Sequence, residues 1–270
     1  MADMQNQAIQ LILVILGVCI VMLFLIFIVM KLKMSKSKIR LFASKSKAVY
    51  EPLVTVQSQK GDLKDFEENL YKKDSSVGLI LGARGSGKSA LGMKVLENVA
   101  SKTDKHICVI GFSKKDVPSW VSVIEQTEEI PNNSFVLIDE GGIFFSSRDS
   151  MKEANKIVSK IILLARHKDL CILFITQNSA NLEINTIRQA DYLFLKPSSL
   201  LQLDFERKKI KDIYTQVLSS FDKYKQEKGL FYIYSDEFKG FASNCLPSFW
   251  SKNISKTLED KKIEQTKKKN

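Results

Sequence analysis

Eight residues at positions 82–89, GARGSGKS, join an apolar run at 77–81 to a stretch of helical composition that begins at Ala90. The spacing G-x-x-x-x-G-K-S is that of a loop that wraps nucleotide phosphates. Its glycines let the chain turn tightly, so that the backbone N–H groups of Gly82, Ala83, Arg84, Gly85, Ser86 and Gly87 can converge on phosphate oxygens. Lys88 adds a mobile positive charge, and the Ser89 hydroxyl is a ligand for Mg²⁺. A helix starting here points the positive end of its dipole at the anion.

The flanks agree with this reading. Residues 77–81, VGLIL, have the length and apolarity of a buried parallel strand. Downstream, Leu91, Val95 and Val99 recur at the four-residue spacing of one buried helix face. A chain with this order of strand, loop and helix is expected to fold as α/β, with a mainly parallel sheet between helices.

A second apolar run, residues 134–138, ends in two adjacent carboxylates, Asp139 and Glu140. At the C-terminal end of a buried parallel strand, Asp139 is placed to hold Mg²⁺ beside the phosphates. Glu140 is placed to polarise the attacking water, which separates hydrolysis from simple binding. A third run, residues 171–176, ends at Gln177, where a polar side chain can sense the γ-phosphate. Further strands are expected at 106–112, 192–195 and 230–234, the last pairing as a hairpin with 238–242. Helices are expected over 150–168 and over 203–226, the latter starting near Asp204.

The N-terminus is of another kind. Residues 11–30 are 20 consecutive residues without charge, enough to cross a bilayer core. Seven basic and no acidic residues follow at 31–47, so the positive-inside rule places the N-terminus outside and the rest of the chain in the cytoplasm. The expected organisation is a transmembrane anchor at 1–30, a basic juxtamembrane linker with a short helix at 31–70, an ATPase domain at 71–245 and a lysine-rich tail at 246–270. The lipid bilayer is therefore the first expected partner.

The formal charge of +11 does not by itself indicate nucleic acid. Residues 48–250 carry 27 basic and 26 acidic groups, so the surplus sits in the juxtamembrane block and the tail. Attraction to anionic lipid accounts for the first block. The tail and the cluster Arg207, Lys208, Lys209 and Lys211 can serve either as solvated charge or as a phosphate-backbone contact. The four cysteines, Cys19, Cys108, Cys171 and Cys245, form no C-x-x-C pair and suit buried thiols in a reducing compartment.

Taken together, GARGSGKS, FVLIDEGGIFFSSRD and LLARHKDLCILFITQNSANLEINTIRQADYLF resemble the zonula-occludens-toxin-like family, ATPases of filamentous phages related to the FtsK–HerA group of DNA-pumping motors. The likeness spans about residues 75–200, and the block from Arg166-His167 to Gln177 discriminates best. It implies a P-loop NTPase of RecA/ASCE type that uses ATP and Mg²⁺, with Lys88, Ser89, Asp139, Glu140 and Gln177 in the family roles. It also implies a homo-oligomeric ring in which an arginine from a neighbouring subunit stabilises the transferring phosphoryl group, with Arg148, Arg166 and Arg188 as candidates. The membrane segment precedes the ATPase here, whereas in the phage assembly proteins it follows.

Three functions are compatible with these residues. The leading one is a membrane-tethered ATPase that moves DNA, for virus packaging or extrusion or for transfer across a membrane. The second is an ATPase that drives protein export or assembly of a virion or envelope, with virion or secretion components as partners. The third is a nucleotide-gated scaffold without useful turnover. The absence of an N-K-x-D motif after the third strand argues against a GTPase.

Overall fold

A computed structural model of the 270-residue chain describes residues 47–139 and 150–251, together with Gly17, Ile20, Met22 and Phe24 nearer the N-terminus. Apart from those four positions, the expected membrane span lies outside the described residues, as do most of its basic flank, the lysines of the tail, Glu140 and Arg148. Among the described residues no helix is long and apolar enough to cross a membrane. The chain divides into two units, residues 1–46 and 47–270, and the second carries the fold.

In chain order the elements are β1 (Val54–Lys60), α1 (Leu63–Lys72), β2 (Ser76–Leu81), α2 (Lys88–Lys102), β3 (His106–Ile110), β4 (Ser122–Val123), β5 (Ser134–Asp139) and α3 (Ser150–His167). They continue with β6 (Leu170–Ile175), α4 (Ile184–Arg188), β7 (Tyr192–Leu195), α5 (Leu200–Asp204), α6 (Lys208–Lys223), β8 (Phe231–Ser235) and β9 (Lys239–Ser243). Among the described residues nine strands form one sheet, in the order β1-β9-β8-β7-β2-β6-β5-β3-β4. From β7 to β4 every pairing is parallel, while β7–β8, β8–β9 and β1–β9 are antiparallel.

The parallel centre follows from composition. Every residue of β2, β5 and β6 is buried, as a strand covered on both faces requires. Val77, Leu79 and Leu81 pack on one face with Ile161, Ile213 and Tyr214 from α3 and α6. Ile80 faces the other way, with Phe66 of α1 and Leu91, Leu96 and Val99 of α2. Each such fully buried side chain contributes roughly 1.5–3 kcal/mol. Register then levels the functional edge: Ile80 pairs with Ile175, and Ile175 with Asp139.

Three features differ from expectation. Residues 54–60 form an edge strand, β1, which pairs with β9 and whose polar sequence VTVQSQK leaves most of it exposed. The single helix expected over 203–226 is two, because Glu206 is buried between them and accepts from the Ser179 N–H at 3.1 and 3.2 Å. Arg207 holds the N-cap position of the second of these without a side-chain capping bond; its guanidinium instead reaches back to the Ser179 turn, Nη2 donating to Leu182 O at 2.6 Å and Nε to Ser179 O at 3.1 Å.

The third difference concerns α2, which is buried almost all round instead of on one face. Residues 49–53 and 248 cover its outer side and meet its polar groups. Lys94 Nζ donates to Glu97 at 3.0 Å and to Glu51 at 3.1 Å. Glu97 also accepts from the Val49 N–H at 3.3 Å and the Ser248 N–H at 3.0 Å. Asn98 exchanges hydrogen bonds with the Glu51 backbone and donates to Glu67 at 3.1 Å. Burial works against the Lys94 charge, but the bonds to Glu97 and Glu51 outweigh it and hold the amine above the ordinary lysine value.

Candidate functional site

The site lies where β2, β5 and β6 end together. The loop after β2 turns through positive φ at Gly85 (+76°) and Gly87 (+89°), and Gly87 delivers the chain into α2. Gly82, with φ +152°, lies so near the end of β7 that a Cβ there would stand 2.6 Å from Lys196 Cβ. Packing behind the loop is equally close. A Cβ on Gly92 of α2 would stand 2.8 Å from Leu137 Cδ1 of β5, so this glycine lets the loop's helix rest against the strand that carries Asp139.

Lys88 Nζ donates to the carbonyls of Gly82 and Ala83, each at 2.8 Å, which curls the loop around the amine. Ser89 Oγ is 3.5 Å from Asp139 Oδ2. A hydroxyl and a carboxylate side by side at the mouth of a phosphate loop are hard oxygen donors of the kind that suit Mg²⁺. Ser86 Oγ is buried and has no hydrogen-bond partner among the described residues. The donor set fits a nucleotide with its cation.

Gln177 follows β6 at the same edge and is exposed. Its carbonyl accepts from Gln202 Nε2, which also donates to Gly82 O at 3.3 Å. Gln202, on α5, thus bridges the phosphate loop and the residue expected to sense the γ-phosphate. Nothing local in the sequence marks it, because the contacts span 25 and 120 positions.

Arg166 and Arg188 are exposed. They close α3 and α4, the helices that lead into the starts of β6 and β7, so topology carries both to the sheet edge opposite the loop. The structure therefore brings Lys88, Ser89, Asp139 and Gln177 together and leaves these two arginines away from their own chain's loop. Arg207 and Lys211, read as part of a basic cluster, have local partners: Arg207 binds the Ser179 and Leu182 carbonyls, and Lys211 pairs with Asp204 at 2.9 Å.

Lys196, at the end of β7, is buried. Its Nζ donates to Gly229 O at 2.7 Å and Asn244 Oδ1 at 3.2 Å, and its backbone N–H donates to Leu81 O. Sequence reading passed over it, although a lysine closing an apolar strand is the signal that points to it. Burial lowers the amine to about 7. Unfolded, it titrates near the usual value of about 10.4, so between about pH 7 and 10 the unfolded state holds a proton that the native state lacks. Stability should rise with pH across that window by up to about 1.4 kcal/mol per unit, and below pH 7 the burial penalty is fully present. Lys196→Met is expected to flatten this rise relative to the parent chain, measured by urea midpoints at pH 7 and 9.

With strand, turned loop, helix and facing carboxylate all in place, the site is that of a P-loop NTPase. A family described as "Protein of unknown function (DUF815)" matches residues 27–187, more than half of the chain. The chain belongs to the DUF815 family. The DUF815 match takes in the phosphate loop, Asp139 and Gln177, and stops before Lys196 and Gln202. No curated protein matches.

Among solved structures, the DNA-packaging ATPase of Sulfolobus turreted icosahedral virus is similar at 13% identity and a TM-score of 0.46, over 64% of this chain and 98% of that one. The genome-packaging NTPase of Sulfolobus turreted icosahedral virus 2, in complex with AMPPCP, is similar at 16% identity and 0.43, over 64% and 100%. EssC (ATPases 2 and 3) from Geobacillus thermodenitrificans is similar at 10% and 0.41, over 80% and 52%.

Proposed function

We propose that the protein is a membrane-anchored ATPase that couples ATP hydrolysis to the movement of DNA. The observation that carries the ATPase part is the Ser89–Asp139 approach of 3.5 Å beside the phosphate loop, with Glu140 next in sequence. The loop N–H groups other than that of Ala83, which donates to Pro197 O at 2.9 Å, would bind the phosphates together with Lys88, and Ser89 and Asp139 would hold Mg²⁺. When bound, the ion neutralises charge that develops on the phosphoryl oxygens. Glu140 takes a proton from the attacking water, and Gln177, tied to the loop through Gln202, reports on the γ-phosphate.

The DNA part rests on the likeness of residues 75–200 to zonula-occludens-toxin-like and FtsK–HerA motors, above all the block from Arg166 to Gln177. The membrane part rests on the uncharged run at 11–30 and the basic block behind it, which put the N-terminus outside and the ATPase in the cytoplasm. Ile20, Met22 and Phe24 of that run are helical and exposed, as lipid-facing side chains would be. A homo-oligomeric ring is supported by Leu200, Leu201 and Phe205, each about 70% exposed, beside the Gln202 bridge. In such a ring a second copy covers this apolar surface and supplies the arginine in trans.

The test is turnover of the full-length chain in detergent, with and without single- and double-stranded DNA. DNA is expected to raise ATP hydrolysis severalfold. If neither form of DNA has an effect and a protein partner or lipid does, the DNA reading fails and assembly or export takes its place.

A further inference from the structure

A cavity of about 290 Å³ opens beside the phosphate loop, lined among others by Ser86, Pro197, Phe221, Asp222, Glu227 and Leu230. Its position relative to the chemistry follows from strand order. Asp139 ends β5 and Gln177 follows β6, both to one side of β2, and Ser89 leans toward Asp139. The metal and γ-phosphate end of a bound triphosphate therefore lies on the β6–β5 side. A triphosphate stretched along the loop must leave on the other side, over β7 and β8, where the cavity lies.

The lining suits what would arrive there. Phe221 and Leu230 are buried apolar walls, and Pro197, whose carbonyl accepts from the Ala83 N–H at 2.9 Å, fixes the loop to the rim. Asp222 and Glu227 are exposed carboxylates, acceptors for hydroxyls and amines, and Lys225 is a donor on the same rim. A small, partly apolar hollow with a few convergent polar groups is the usual form of a ligand site, and this volume is at the lower end of the range. Ser86, in the loop itself, joins the hollow to the phosphate site.

Resting on the phosphate-loop reading above, the geometry points to this cavity as the nucleoside subsite: base against Phe221, Leu230 and Pro197, ribose and base polar groups toward Asp222, Lys225 and Glu227. All of these residues lie outside the phosphate loop at 82–89, so the subsite sets which nucleotide binds and not how it is cleaved.

The experiment is calorimetric titration of the full-length chain with ATP and, separately, with inorganic tripolyphosphate, both with Mg²⁺. The comparison is between the parent and the double variant Asp222→Ala, Glu227→Ala, whose exposed positions leave the core untouched. The variant is expected to bind ATP about tenfold more weakly and tripolyphosphate as tightly as the parent. Unchanged ATP affinity, or an equal loss for both ligands, overturns the subsite. A parent chain that binds neither ligand overturns the phosphate-loop reading itself. The Lys225→Ala variant gives a second reading, with the same split between ATP and tripolyphosphate.

Discussion

Glu140→Gln is expected to leave ATP binding intact while lowering turnover by about 10²–10⁴-fold, the range that a positioned general base contributes. The amide keeps the size and polarity of the carboxylate but cannot accept the water's proton. Lys88→Ala is its counterpart. Lys88 Nζ sits within 2.8 Å of two loop carbonyls, so its loss removes both a phosphate ligand and a brace of the loop. For that variant ATP affinity and turnover should fall together, turnover by about 10²–10³-fold, as when a preorganised donor is lost from a transition state. Equilibrium binding of a fluorescent ATP analogue, read beside phosphate release, separates the two. Glu140→Gln turning over at the parent rate would remove the general base from this carboxylate and leave only the binding half of the mechanism.

The second large effect is on stability. Lys94 and Glu97 are an ion pair in which both side chains are at most 1% exposed. Removing one partner of a buried pair costs about 3–5 kcal/mol, because it strands a charge out of water. Glu97→Ala should cost about that much: Lys94 keeps the half-exposed Glu51 at 3.1 Å, but Val49 N–H and Ser248 N–H lose their acceptor. Adding Lys94→Met to it should return part of the loss. Urea unfolding followed by tryptophan fluorescence is the measurement: Trp120 packs edge-on against Phe249 at 5.5 Å, next to the segment that Glu97 holds. Equal unfolding midpoints for the single variant and the parent would mean that the network carries no net stability.

The central sheet was legible because its strands are buried on both faces and so read as short unbroken apolar runs between turn residues. The phosphate loop and Asp139 were legible for a related reason: each is the first polar feature after such a run, and Gln177 stands one residue behind Thr176 at the end of another. What could not be read depends on distant partners. β1 is polar because it lies at an edge, and its place comes from β9, about 190 residues later. The break before α6 is set by Ser179, whose N–H calls Glu206 into the core. Lys94, Glu97 and Asn98 read as a solvated helix face and are covered only because residues 49–53 and 248 fold over them. Gln202 joins two loops that sequence spacing cannot relate.

That cover on α2 has a mechanical consequence. The helix begins at the phosphate loop, and its far side is laced to chain segments close to either end of the described fold, through Val49 and Glu51 on one hand and Ser248 on the other. Tension applied to either segment is delivered to the helix that carries Lys88 and Ser89. Conversely, a shift of that helix during the nucleotide cycle pulls on both tethers at once.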